Sequence, residues 1–330
     1  MRSIRYKITV LFLPAALLIL TACERHDYEL LDPESAGKFT LYTTAVGLPS
    51  NQVSSIKLDK RGNLWVSFPG YGIGKYDNNT WTFYRASTSQ LLNDQVNCLA
   101  ETAEGSLVIG TVNGISMLAS TNAWSSYVDP ADGMDVTSIK VGSNGWIWIG
   151  TRSQGFYVNT GSGYTKNLIS GYERVRAIEE DASGAIFIAT DNGILKWQNN
   201  TFSPIKKTDG LPDENVTSLR FDSKERLWIG TETGDKVAWI DRKGIHHLNL
   251  LTVTDSIRIR DIFEDRRGNI WFATHRKGLI RYDGVIPRNI SENNGFPENK
   301  INCIGEDKYG NLWFGLYSKG LVKYTLPVDW

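Results

Sequence analysis

The residues in this 330-residue chain whose types could do chemistry are four histidines, three cysteines and a set of loop carboxylates and arginines. Their spacing excludes most reactions. His246 and His247 are adjacent, and on a strand they point to opposite faces, so they cannot readily chelate one metal. No His-x-His pair, serine–histidine–aspartate order, phosphate-binding glycine loop or dinucleotide fingerprint is present. The recurring D-x-x-G turns lack the ligand set and closing glutamate of a calcium loop. His275, in Thr274-His-Arg-Lys277, is the histidine with polar company, and its worth depends on what the chain brings beside it.

Composition narrows the partners. Lys and Arg total 36 against 36 Asp and Glu, 41% of residues are hydrophobic, and tryptophan is unusually common at 11 copies. This is a globular composition. A neutral chain without basic blocks does not match nucleic acid, whose phosphates require a clustered cationic surface. Without residues 1–22, which hold Arg2, Arg5 and Lys7, the balance is 33 basic against 36 acidic, and no strongly charged partner is expected.

The N-terminus carries an address. Three basic residues precede an apolar stretch from Ile8 to Leu20, too short for an ordinary spanning helix, which closes on Leu20-Thr-Ala-Cys23. Small residues before a cysteine resemble the bacterial lipoprotein lipobox, in which the cysteine becomes the lipidated first residue. The resemblance implies a signal peptide over 1–22, lipid attachment at Cys23, and export to the outer membrane of a Gram-negative bacterium, on its periplasmic or surface side. Residues 23–37, acidic and broken by Pro33 and Gly37, read as a flexible tether.

The elements that must position any site are repeats. GNLWVS at 62–67 recurs as GSLVIG, GWIWIG, GAIFIA, ERLWIG, GNIWFA and GNLWFG. Its aromatic position falls at Trp65, Val108, Trp148, Phe187, Trp228, Trp271 and Trp313, 39 to 43 residues apart. That period, with strand-like contents, predicts an all-β seven-bladed β-propeller of four-stranded blades over 38–330. An innermost strand A begins at Val53, Val96, Val136, Val175, Val216, Ile259 and Ile301, followed by a D-x-x-G turn and the LWVS-type strand B. The third residue of strand A is small in most blades (Ser55, Cys98, Ser138, Ala177, Ser218, Asp261, Cys303), which we ascribe to crowding at the axis. Cys98 and Cys303, separated by blade 1, are expected as buried free thiols. Too little chain follows Tyr324 for a last outer strand, so residues 38–44 are expected to complete blade 7 and close the ring.

Loops between strands B and C share a face with the D-to-A connections, around the channel mouth. Round the ring they supply Tyr71, Asn113, Arg152 with Gln154, Asp191, Glu232, His275 with Arg276, and Tyr317. Aromatics, arginines and carboxylates around a funnel could stack on sugar rings and bond hydroxyls, making these the candidate ligand-binding residues.

The units follow LP-x-N-x-V-x-S-I…D-x-x-G-N-[IL]-W-[IVF]-G…G-[IL]-x-[KR]-[YW], best over Leu48–Asp77, Leu211–Gly230 and Phe296–Tyr324. They resemble the two-component-regulator propeller repeats. That resemblance implies a sensor-like, non-catalytic binding propeller without cofactor, similar to periplasmic sensor halves of hybrid histidine kinases that respond to oligosaccharides. The chain departs from the full sensor plan in having one propeller, no second membrane span and no kinase, so any signalling would run through a partner. An alternative is a scaffold subunit of an envelope secretion or nutrient-uptake complex, with an envelope protein as partner and Trp81, Trp124 and Tyr127 contributing contacts. Propeller lyases offer a minor alternative, with His275 and Glu232 in the metal-dependent role. Oligomeric state is not legible in the sequence.

Overall fold

The computed structural model describes residues 27–29, 38–77, 79–129, 133–234, 236–250 and 257–325. The signal-peptide and Cys23 assignments therefore lie outside the described residues. Six antiparallel four-stranded sheets and a seventh built from both ends of the chain form the expected ring. Strand A spans Ser55–Leu58, Val96–Glu101, Val136–Val141, Val175–Glu180, Val216–Phe221, Ile259–Glu264 and Ile301–Glu306 in blades 1 to 7. Blade 7 is completed by Lys38–Tyr42, which pairs with Leu321–Thr325 in the register Lys38↔Thr325 to Tyr42↔Leu321. Asp27–Glu29, inside the stretch read as a tether, pairs on Lys38–Thr40 as a fifth strand. No helix among the described residues is long and apolar enough to cross a membrane.

The core is seven wedges, one per blade junction. Strand B is buried along its whole length in every blade because its alternating side chains serve both neighbours. In blade 1, Leu64, Val66 and Phe68 join the cluster shared with blade 7, and Trp65 joins the cluster shared with blade 2. A buried indole must still satisfy its N–H. Asp265 Oδ2 accepts from Trp271 Nε1 at 2.8 Å, and its Oδ1 accepts from the backbone of Arg267 and Asn269. Asp59, Asp222 and Asp307 do the same for Trp65, Trp228 and Trp313. The D-x-x-G turn is thus hairpin chemistry and also the polar anchor of the blade tryptophan.

Adjacent blades are bonded at both ends of strand A. Its second residue sits at a β-bulge in blades 2 to 7, where the register shifts against strand B. From there the side chain reaches the leading carbonyl of the next blade: Ser54 to Val96, Asn97 to Val136, Thr137 to Val175, Thr217 to Ile259 and Asn302 to Val53, at 2.6–2.8 Å. At the other end Glu101, Glu180, Glu264 and Glu306 accept backbone N–H groups from the A–B turn of the preceding blade.

The small third residue of strand A needs a different explanation from axial crowding, since a channel of about 580 Å³ stays open there. Each pairs with a small residue of strand B, as Cys98 with Gly110, Ser138 with Gly150, Ala177 with Ala189 and Cys303 with Gly315. A Cβ on Gly110 would lie 2.5 Å from Cys98 Sγ and 2.6 Å from Val136 Cγ1 of the next blade. Blade-to-blade contact sets the size. Cys98 and Cys303 are free, as expected, and burial pushes the Cys98 thiol up to about 12.

The belt of side-chain bonds predicts a mutational pattern. Thr217→Val keeps the shape but removes the bond to Ile259, and should cost about 1–2 kcal/mol in denaturant unfolding. Thr217→Ser should stay within about 0.5 kcal/mol of wild type.

Candidate functional site

The B–C loops are fastened before they present anything. Thr111, Thr151, Thr190 and Thr274, buried at the end of strand B, donate to the carbonyl of the glycine opening strand C, and their hydroxyls accept a loop N–H. Gly278, at φ 75°, is required where strand C of blade 6 begins, because a Cβ there would strike the Ile290 carbonyl. In blades 2, 3, 5, 6 and 7 the loop is also bonded to the D–A connection of its own blade, for example His275 N to Arg258 O at 3.0 Å and Tyr317 N to Lys300 O at 3.0 Å. The glycine opening strand C bonds onward to the next blade, as Gly278 N does to Asn299 O. In blade 7, buried Glu298 takes Ser318 N, Ser318 Oγ and Lys319 N, fixing the loop that carries exposed Tyr317.

On this frame the structure brings Asp191, Glu232 and His275 into one network, joined by arginines that sequence reasoning missed. Arg176 Nε lies 2.5 Å from Asp191 and its Nη1 3.6 Å from Glu232; Arg174 flanks Asp191 at 3.5 Å, and Arg258 holds Glu232 at 2.8 Å. The row Arg174–Asp191–Arg176–Glu232–Arg258 alternates in sign across blades 4 to 6. Arg260 follows it, bonded to His275 Nδ1 at 3.2 Å. Burial, then Arg260, Arg258, Arg276 and Lys300, hold the imidazole below its ordinary range, so it is neutral at pH 7. Tyr317 stands beside Lys300, its ring 5.1 Å from the ammonium.

A signal for these arginines exists in the repeat. The second residue of strand A is Ser54, Asn97, Thr137, Thr217 or Asn302 in five blades and Arg176 or Arg260 in two. The belt residue is replaced where the cluster forms.

The other expected residues are not joined to this network. Tyr71 lies under Arg85, Asn113 and Gln154 are tied through their backbone N–H to Thr111 and Thr151, and Arg152 is paired with Asp135 at 2.5 Å. Trp81, Trp124 and Tyr127 are taken up by blade packing, against Phe83, Tyr84 and Tyr164 respectively. Among the described residues no three His, Cys, Asp or Glu side chains are grouped to hold a metal ion. Glu232 is engaged by two arginines, and His275 is surrounded by cations, which disfavours a metal there.

The axial channel is lined by strand A residues of every blade, and Arg260 is the member of the charged cluster that reaches it. On its far side Glu179 pairs with Lys140 at 2.7 Å and Arg220 at 3.8 Å. Burial is the main cause lowering the Lys57 amine, with Arg220 and Lys140 adding to it. Asp261 turns its carboxylate across the junction to accept Ile304 N at 2.8 Å, yet burial still raises it to about 6.

Comparison with known proteins places these features in a family context. Residues 47–70, 210–233, 254–276 and 295–318 match the family described as two component regulator propeller. Histidine kinase P4 of Formosa agariphila is 27% identical over 234 residues, covering 63% of this chain and 17% of that protein. The extracellular domain of a putative hybrid two component system from B. thetaiotaomicron superposes with a TM-score of 0.73 at 21% identity, over 87% of this chain and 41% of that one. Virginiamycin B lyase from Staphylococcus aureus, a catalytically inactive variant with quinupristin, gives a TM-score of 0.73 at 17% identity, over 88% and 100%. The chain therefore spans under half of the sensor domain and about a sixth of the kinase.

Asp261 yields a pH prediction. A carboxyl raised from 3.8 to about 6 on folding is favoured in its protonated form, so its contribution to stability falls as pH rises through that window. Asp261→Asn should flatten the melting-temperature profile between pH 4 and 6, and gain relative to wild type at pH 7. Parallel profiles would contradict this. Four segments of the chain thus match the two component regulator propeller family, and the sensor domain and the lyase alike share its seven-bladed propeller fold.

Proposed function

We propose that this chain is an exported, lipid-anchored binding propeller of the sensor type that takes an oligosaccharide at its loop-rich face. The observation that carries the reading is the fixed row of arginines and carboxylates on the loop face, on the same face as exposed Tyr317 and followed by Arg260, which lines the axial channel. Arg–carboxylate rows offer donors and acceptors in alternation, the pattern a ring of sugar hydroxyls requires, and an exposed aromatic supplies a stacking face. Their supports are strands and backbone-bonded loops, so the geometry is preorganised. The Leu20-Thr-Ala-Cys23 segment supports export and anchoring, which would hold the bound sugar at a membrane surface. An envelope protein is the partner we propose for passing the signal on.

A melting-temperature screen of the purified protein against oligosaccharides, with and without divalent metal, tests this. A ligand that binds only the native state stabilises it by about 2.7 kcal/mol at a hundred times its dissociation constant. We expect a saturable, metal-independent rise with some members of the panel, reduced in Tyr317→Ala and Glu232→Gln. A flat panel at millimolar sugar would remove the oligosaccharide reading and turn attention to protein partners.

A further inference from the structure

The charges at the mouth do not balance. Arg174, Arg176 and Arg258 share two carboxylates, Asp191 and Glu232. Arg260 has none within ion-pair distance among the described residues. Its hydrogen bond is to His275 Nδ1, and its Nε is buried without a partner among those residues. Arg276 and Lys300 add further positive charge around the same imidazole. All of this lies on one sector, blades 4 to 7, of a chain whose formal net charge is zero.

Arg260 is also in an unusual place. The equivalent residue in five other blades bonds the next blade's carbonyl, so this arginine stands where a structural bond would otherwise be made. Burial and the Arg258 and Arg176 cations weigh against this guanidinium, with the Glu232 carboxylate offsetting part of that, and a bound anion would relieve the remaining electrostatic cost. Since His275 accepts at Nδ1 from Arg260 and is neutral, its proton is on Nε2, which gives the loop face a further donor. The guanidinium fork matches the two oxygens of a carboxylate or sulfate.

We propose that the mouth between blades 4 and 7 selects an acidic sugar, its carboxylate or sulfate group paired directly with Arg260, with Arg258 and His275 flanking it. This rests on the oligosaccharide reading above and specifies its ligand class. Neutral sugars of the same length would leave the cationic sector uncompensated and bind more weakly. Binding is screened by salt, because the discriminating contact is ionic.

Calorimetric titration of the purified protein with a uronic-acid tetrasaccharide, its sulfate-bearing counterpart and the neutral tetrasaccharide provides the test, run on wild type, Arg260→Gln and Arg260→Lys. We expect at least one acidic sugar to bind about tenfold or more tighter than the neutral one. That preference should collapse in Arg260→Gln, be partly kept in Arg260→Lys, and weaken as salt rises from 50 to about 500 mM. The two acidic arms separate carboxylate from sulfate recognition. Equal affinity for neutral and acidic sugars, or a preference unchanged in Arg260→Gln, overturns the acidic-sugar assignment while leaving the oligosaccharide reading intact. Absence of binding by all three overturns both. Circular dichroism of each variant keeps a folding defect from being read as lost recognition.

Discussion

Every blade of this ring must meet its neighbour at the same distance, because a ring of seven closes only if no junction drifts. At five of the seven junctions a side-chain bond from the second residue of strand A to the next blade's leading carbonyl fixes that distance at the axis. Ser54, Asn97, Thr137, Thr217 and Asn302 differ in length, and the bulge beneath them in most blades lets each reach a carbonyl. The small pairs of strands A and B, typified by Cys98 over Gly110, let the next blade's valine settle into the junction. Strand B can then be apolar on both faces, and the tryptophans anchored by Asp59, Asp222, Asp265 and Asp307 fill the wedges. Closure through Lys38–Tyr42 joins the chain ends within the last blade.

The regularity is broken at two positions, where we place the proposed binding site. Arg176 and Arg260 occupy belt positions but turn to the loop face, and with Arg174 and Arg258 from the adjoining connections they form the charged sector of the mouth. A side chain that departs from a repeat's structural role, at a position the repeat otherwise keeps polar and short, costs an interaction that the other blades retain. Rigid strands carry these arginines, and loops bonded to the connections carry Asp191, Glu232 and His275, so the charges are held in place before any ligand arrives.

The propeller itself was readable from residue spacing, because a period near 40 with an aromatic strand in each unit admits few other folds. The closing strand was readable too, since Lys38–Tyr42 has outer-strand character ahead of the first strand A. Free thiols at Cys98 and Cys303 followed from blade order. What spacing could not convey was charge convergence. Arg176 and Arg260 are far apart in sequence, and an overall charge of zero conceals arginines gathered on one sector. Aligning the second residue of strand A would have exposed them. Reading one residue per B–C loop as a single site was too even: the network joins Asp191, Glu232 and His275, whereas Arg152 is paired with Asp135 in its own blade. Axial crowding was likewise the wrong cause for small third residues, and Asp261 fits there because its carboxylate finds Ile304 N.

We propose that Arg260 is kept for recognition at the expense of the ring. Measuring the ligand-free stability of Arg260→Thr tests it most directly, since threonine restores the residue that Thr137 and Thr217 use to bond the next blade. The variant should melt at or a few degrees above wild type, with about 1 kcal/mol gained from a restored hydrogen bond. A variant that melts several degrees lower would mean that Arg260 holds the propeller together, and would contradict the account.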